Sequence, residues 1–405
     1  MKKYEFTAKL NPYYRTLEGL GLTQLTNIFD TVSYNNKILP QSLTAGLEEV
    51  SYFNLLLGYG ATPYPTTDLF EFFEEKDLFQ LRYNKNTILV FDCTFEGLSK
   101  NDLLIAQALD YSCIKHQINR RKIFLFTGNL KTLEHNTGIT VIPSFILHLS
   151  FEKSKLNRIT LNNSKERCGQ NFKNIVLSLS RRPRIHRVLA HFMLANSEIF
   201  EDCIVSQCLC EPGVDSMFGG HISQYDMDRT GMTYQDWDVF RSKLPLIADG
   251  NYFHVNEPFD HLTDLHASTV FSIVNETLAD NYNDTSLFYS EKFLKPIINF
   301  QPMVIYGQRG INKQMSLLGF KTYESYFNLD FDDEPDDVYR YKKLLLSVTD
   351  TVKYLKSLTR DQQIEWRFHQ TELLEYNFRN VMYIQHVEDS MARFLLLVRQ
   401  LTDNL

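Results

Sequence analysis

A chain of 405 residues, 43% hydrophobic and 22% charged, has room for two ordinary domains and an appendage, and it can bury its cores without disulfide staples. No apolar run approaches the roughly 20 residues of a bilayer span. The opening MKKYEFTAKLNPYY carries charge with no apolar stretch behind it, so the expectation is a cytoplasmic protein with no membrane span and no secretory signal.

The net charge of −7 conceals a basic stretch over 115–187, where fifteen Lys/Arg face three Asp/Glu. Stability does not require such segregation, and a concentrated positive field attracts anions. A diphosphate needs only a few of these charges. The surplus points to a polyanion such as double-stranded DNA, or else to an exposed linker whose lysines touch nothing. The six cysteines of a long chain without a leader are expected to be free thiols.

In chain order, residues 1–86 carry few signals. The run 55–60, LLLGYG, lacks the rest of a dinucleotide fingerprint and any phosphate-loop lysine, so it reads as a turn. Residues 87–92, TILVFD, predict a buried strand. Ser99 with Asp102 suits a capping box for a helix running towards Ile118, and 122–126, KIFLF, predicts a second strand stopped by Thr127-Gly128-Asn129. Further strand material lies around Pro143. Strand, helix and strand at this spacing argue for a parallel sheet with crossover helices, whose ligands gather beyond the carboxyl ends of the strands. Asp92, Glu96 and the turn 127–129 fall there.

Residues 150–173 are polar, basic and weakly periodic, and mark a domain boundary. The strand predicted at 174–180, NIVLSLS, delivers Arg181, Arg182, Arg184, His186 and Arg187 to the start of a helix. Its inward stripe is Ile185, Val188, Leu189, Phe192 and Met193. Arginines between a strand and a helix start can grip a phosphate bidentately, whereas Arg184 is expected to pair with a surface carboxylate. Cys203, Cys208, Cys210 and His221 lack a paired C-x-x-C, so buried thiols are expected in place of zinc. Residues 217–249 read as loop-rich, and their Asp226-Met227-Asp228 is too common a pattern to imply a metal. A strand over 271–276 ends in Glu276.

The stretch 288–319 predicts helix, buried strand and second helix. Ser290 caps the first, Glu291 and Lys292 lie in its opening turn, and Gly307, Gly310 and Gly319 mark the later turns. An acid beside a base at a helix start suits a ligand with hydroxyls and an anion, and equally a surface ion pair. Residues 330–337 form an acidic loop, and from Tyr339 the pattern is helical to the end.

The run Tyr289-Ser290-Glu291-Lys292-Phe293 with Lys295-Pro296 resembles the E-K motif of nucleotide-sugar-dependent fucosyltransferases. It is still more similar to a broad group of phage and bacterial glycosyltransferase-like proteins, which add an upstream E-T (Glu276-Thr277), a downstream G-F-K-T (residues 319–322) and an R-R-P-R-x-H-R element (residues 181–187). The resemblance covers about 172–340. It implies an α/β fold of two Rossmann-like domains facing a cleft, the GT-B arrangement, with C-terminal helices crossing back. The expected boundaries are 1–168 for an acceptor-side domain, 169–345 for a nucleotide-sugar domain and 346–405 for a helical segment.

The activity so implied is transfer of a sugar from a nucleotide-sugar co-substrate to an acceptor hydroxyl, with inversion and without a metal or other cofactor. Donor-binding residues would be Arg181, Arg182, His186, Arg187, Glu276, Glu291 and Lys292, with Glu291 on the ribose, Arg181, Arg182 and Lys292 on the leaving diphosphate, and Glu276 orienting Lys292 or meeting the sugar. The base would be Glu96 or Asp92. A hydroxymethylated base in phage DNA is the leading acceptor, through the basic stretch 115–187. A surface glycan or protein is the alternative acceptor, and a non-catalytic nucleotide- or DNA-binding protein the alternative class.

Overall fold

The computed structural model describes residues 2–3, 51–56, 63–71, 73–93, 99–131, 137–144, 160–171, 173–180, 183–207, 222–248, 263–279, 285–382 and 385–403. The chain divides into two compact units: 1–150 with 282–288 and 384–405, and 151–281 with 289–383. Both are α/β, each built on a parallel sheet.

The first unit contains β1 (Lys2–Lys3), β2 (Ser51–Leu56), α1 (Glu75–Tyr83), β3 (Thr87–Cys93), α2 (Ser99–Lys115), β4 (Ile123–Thr127) and β5 (Thr140–Pro143). The five strands among its described residues lie side by side in chain order, all parallel. Runs such as Ile88–Phe91 are apolar at every position because both faces of the sheet are covered, and these residues are fully buried. Lys122 is buried as well. Its ammonium donates to the carbonyls of Leu81 (2.7 Å) and Asn84 (2.9 Å) at the end of α1, and burial pushes its pKa down.

The second unit contains α3 (Leu161–Asn171), β6 (Asn174–Ser180), α4 (Ile185–Ala195), β7 (Cys203–Gln207), α5 (Gln224–Thr230), α6 (Tyr234–Ser242), α7 (Thr263–Ala267), β8 (Thr269–Asn275), α8 (Leu294–Ile298), β9 (Met303–Tyr306), α9 (Asp337–Lys356), α10 (Arg360–Phe368) and α11 (Thr371–Met382). The four parallel strands among its described residues run in the order β7-β6-β8-β9. The order therefore reverses between β6 and β8, which is where doubly wound sheets hold their ligands. The final helix, α12 (Gln385–Asp403), belongs to the first unit. Phe394 packs edge-on against Phe124 and Phe126, and Ser390 Oγ donates to the Pro143 carbonyl at 2.8 Å.

Several expectations change. Residues 161–171, read as part of a boundary, form α3, where Ser164 and Cys168 are the buried positions among the described side chains, so the apolar periodicity that announces a helix is weak. The region expected to be loop-rich holds α5 and α6, each opened by a capping hydroxyl, Ser223 on Asp226 N and Thr233 on Asp236 N. The D-x-D aspartates sit on α5, where Asp226 pairs with Arg229 and Asp228 accepts from Gln224. The helices expected over 346–405 start earlier, with α9 at Asp337, and α12 groups with the first unit. Cys203 is half-buried, and its thiol donates to the Ile199 carbonyl, while Cys208, Cys210 and His221 lie outside the described residues. Among the described residues no helix is long and apolar enough to cross a membrane.

Candidate anion site at the carboxyl ends of β6 and β8

Register puts Ser180 beside Gln207 at the end of β6, and Asn275 beside Tyr306 at the end of β8. These four polar residues cap the carboxyl edge of the sheet, and all are buried. Beneath them His191 links α4 to three strands. Its Nδ1 meets Gln207 Oε1 at 2.8 Å, and its Nε2 meets Ser178 Oγ at 2.8 Å and Asn275 Nδ2 at 3.0 Å. Burial holds the His191 pKa down at about 4, so the ring is neutral. Asn275 Nδ2 can only donate, so Nε2 accepts and Nδ1 carries the proton.

The next two residues, Glu276 and Thr277, are the centre of the site. The Glu276 backbone carbonyl accepts from Arg187 Nε at 2.9 Å and from His186 Nε2 at 3.1 Å. The Thr277 carbonyl accepts from Arg184 Nη1 at 3.0 Å. Burial, with the Arg187 charge beside it, pushes the His186 pKa down to about 3, so a neutral imidazole makes this bond. The Glu276 side chain is fully buried. Its Oε1 accepts from Ser290 N (3.1 Å), and its Oε2 from Thr277 N (2.9 Å) and Ser290 Oγ (2.6 Å). Lys292 Nζ lies 3.1 Å from Ser290 Oγ and 3.3 Å from Thr277 Oγ1, and Arg187 Nη2 reaches the same Thr277 oxygen at 3.3 Å. Two cations from separate segments thus meet on one hydroxyl.

The surrounding loops are tightly held. A Cβ on Gly307 would lie 2.8 Å from Ile311 Cδ1 and 3.1 Å from Glu276 Cβ, so only glycine fits without a shift. Arg340, buried on α9, donates to the carbonyls of Gly307 (3.0 Å), Ala279 and Glu334, tying together three segments around the site. The buried carboxylate of Asp332 accepts from Asn312 Nδ2 (2.8 Å) and Lys313 N (3.0 Å), closing the loop after β9. This is a clasp, and burial pushes its pKa up.

Of the residues named from sequence, His186, Arg187, Glu276 and Lys292 are brought together. His186 donates to the Glu276 carbonyl, and Arg187 to that carbonyl and to Thr277 Oγ1; both are buried. Arg184 holds a backbone carbonyl in place of a surface carboxylate. Ile185, expected to face inward, is exposed, while α4 buries His186 through Leu194. Arg181, Arg182 and Glu96 lie outside the described residues. Glu291 opens the 3-10 turn Glu291–Phe293, and Asp92 pairs in register with Phe126 near the end of β3, but neither side chain is among those described.

Ser290, read as a cap, accepts from Lys292 N only at 3.4 Å, and its hydroxyl proton goes to Glu276. Thr277 and Arg340 carried no signal of their own beyond the E-T pair. No protein-family model and no curated protein matches the chain.

Proposed function

We propose that this protein is a nucleotide-sugar-dependent glycosyltransferase whose second unit holds the donor. The observation that carries the reading is the meeting of Lys292 and Arg187 on Thr277 Oγ1 at the sheet's reversal point. Dinucleotide-type folds receive a diphosphate at such a place. Lys292, with Arg181 and Arg182 following β6, would offset the charge on the departing diphosphate, and Glu291 would accept hydrogen bonds from the ribose. The acceptor oxygen attacks the anomeric carbon as the bond to the diphosphate oxygen breaks, with inversion. Glu96 or Asp92 takes the acceptor proton, and the two units take the GT-B arrangement.

A panel of nucleotide-sugars screened by thermal shift tests the donor site. A true donor at 100 times its dissociation constant adds about 2.7 kcal/mol of stability. Lys292→Met should abolish that gain. If no nucleotide or nucleotide-sugar shifts the intact chain, the reading fails, and a shift without sugar transfer to any hydroxyl acceptor leaves a binding protein.

DNA remains our first acceptor, although at least five described cations of the basic stretch already have internal partners. Lys115 pairs with Asp68 and Arg120 with Asp110, while Lys122, Arg184 and Arg187 hold carbonyls. Duplex binding with a steep salt dependence supports a DNA-borne hydroxyl; a flat dependence points to a glycan or protein.

A further inference from the structure

Ser290 is 2% exposed and stands between two groups of opposite charge, with Glu276 Oε2 at 2.6 Å and Lys292 Nζ at 3.1 Å. An ionised carboxylate can only accept and an ammonium can only donate. The direction of both bonds follows: the hydroxyl gives its one proton to Glu276 and turns lone pairs towards Lys292. Glu276 has little freedom of its own, because the backbone N–H groups of Thr277 (2.9 Å) and Ser290 (3.1 Å) also hold its oxygens. Its fixed geometry is therefore passed on through a hydroxyl.

We propose that Ser290 is a positioning residue that holds the Lys292 ammonium beside Thr277 Oγ1 for a diphosphate, and that Glu276 acts through it without touching the ligand. The proposal rests on the diphosphate site argued above. A carboxylate in direct contact with a diphosphate would repel it; one hydroxyl away, and fully buried, Glu276 orients the cation and stays covered. Removing the hydroxyl lets Lys292 swing onto Glu276 as a direct ion pair, which withdraws it from the ligand.

The test is titration calorimetry on the full chain with ADP, GDP, UDP, CDP and inorganic pyrophosphate as probes. Whichever probe binds the unaltered protein should bind Ser290→Ala about tenfold more weakly, as expected for one lost hydrogen bond to a charged group. Ser290→Thr, which keeps the hydroxyl, should come back to nearly the original affinity. Should Ser290→Ala not fold, Ser290→Cys, whose sulfur is a weak acceptor, must show the same weakening. Full affinity in Ser290→Ala alongside lost binding in Lys292→Met overturns the relay and leaves the diphosphate site standing. A Ser290→Thr variant as weak as Ser290→Ala also overturns it. No binding of any probe to the unaltered protein removes the site and the relay together.

Discussion

His186, His191 and His266 are all buried, and burial is the largest cause holding their pKa values down at about 3, 4 and 3. An unfolded histidine titrates near pH ~6.5. Between there and about pH 4 the unfolded chain binds protons that the folded chain refuses, so stability falls as pH falls. Three such groups allow a slope of at most about 4 kcal/mol per pH unit. Asp332 and Asp77 work the other way, since their raised pKa values let the folded state take up protons first, but they are two carboxyls against three imidazoles. Chemical denaturation from pH 7 to pH 5 should show the decline, and His191→Gln should reduce its slope by about a third. A flat profile over that interval would show that these rings do not refuse protons. Arg340 gives a second residue-level expectation. Arg340→Leu leaves the carbonyls of Gly307, Ala279 and Glu334 without their donor, at about 1–3 kcal/mol for each one left buried. Arg340→Lys should recover little of this, since one ammonium cannot reproduce a planar fork.

Elements differed in how well their sequences announced them. Thr87–Cys93, Asn174–Ser180, Thr269–Asn275 and Met303–Tyr306 were legible because a strand covered on both faces must be apolar almost throughout, and turn residues bound such runs. Helix α3 was not, since its buried positions include a serine and a cysteine. On α4 the stripe held at Val188, Leu189, Phe192 and Met193 and failed at Ile185: buried positions at the helix start are taken by His186 and Arg187, which have hydrogen-bonding work behind Glu276. Within the site, Glu276 stood out from its place after a strand, and His186, Arg187 and Lys292 from theirs in the first turns of helical segments. The roles of Ser290 and Thr277 were not, because a hydroxyl's function depends on partners distant in sequence. The turn from the 3-10 segment Lys313–Leu318 into Phe320 shows a legible glycine with an unforeseen neighbour. Gly319 has φ +79°, and a Cβ there would lie 3.3 Å from the Asn380 amide that donates to Leu318 O. Gly319→Ala should cost about 1–2 kcal/mol in a denaturant titration, from the left-handed backbone alone. An unchanged midpoint would mean the turn relaxes freely.

At the scale of the whole molecule, chain order and unit membership part company. The first unit takes back two distant pieces, 282–288 and 384–405. In the shorter piece, Leu287 N donates to Asn129 Oδ1 at 2.9 Å, Asn129 Nδ2 donates to the Thr285 carbonyl at 3.0 Å, and Leu130 N donates to the Leu287 carbonyl at 2.8 Å. The turn after β4, expected from sequence to face a ligand, is bonded to the chain's own backbone. In the longer piece, Phe394, Leu395, Val398 and Leu401 of α12 are buried. At about 1.5–3 kcal/mol for each apolar side chain covered, they account for a sum comparable to the 5–15 kcal/mol that holds an entire domain folded. Ending the chain at residue 384 should therefore loosen the first unit selectively. Amide exchange in β4 and β5 should rise towards that of an unfolded segment, while β6 and β8, whose neighbours all lie within 151–383, keep their protection. Equal loss of protection in both sheets would show that the two units unfold as one, and retained protection in β4 would show that α12 is dispensable to the sheet it covers.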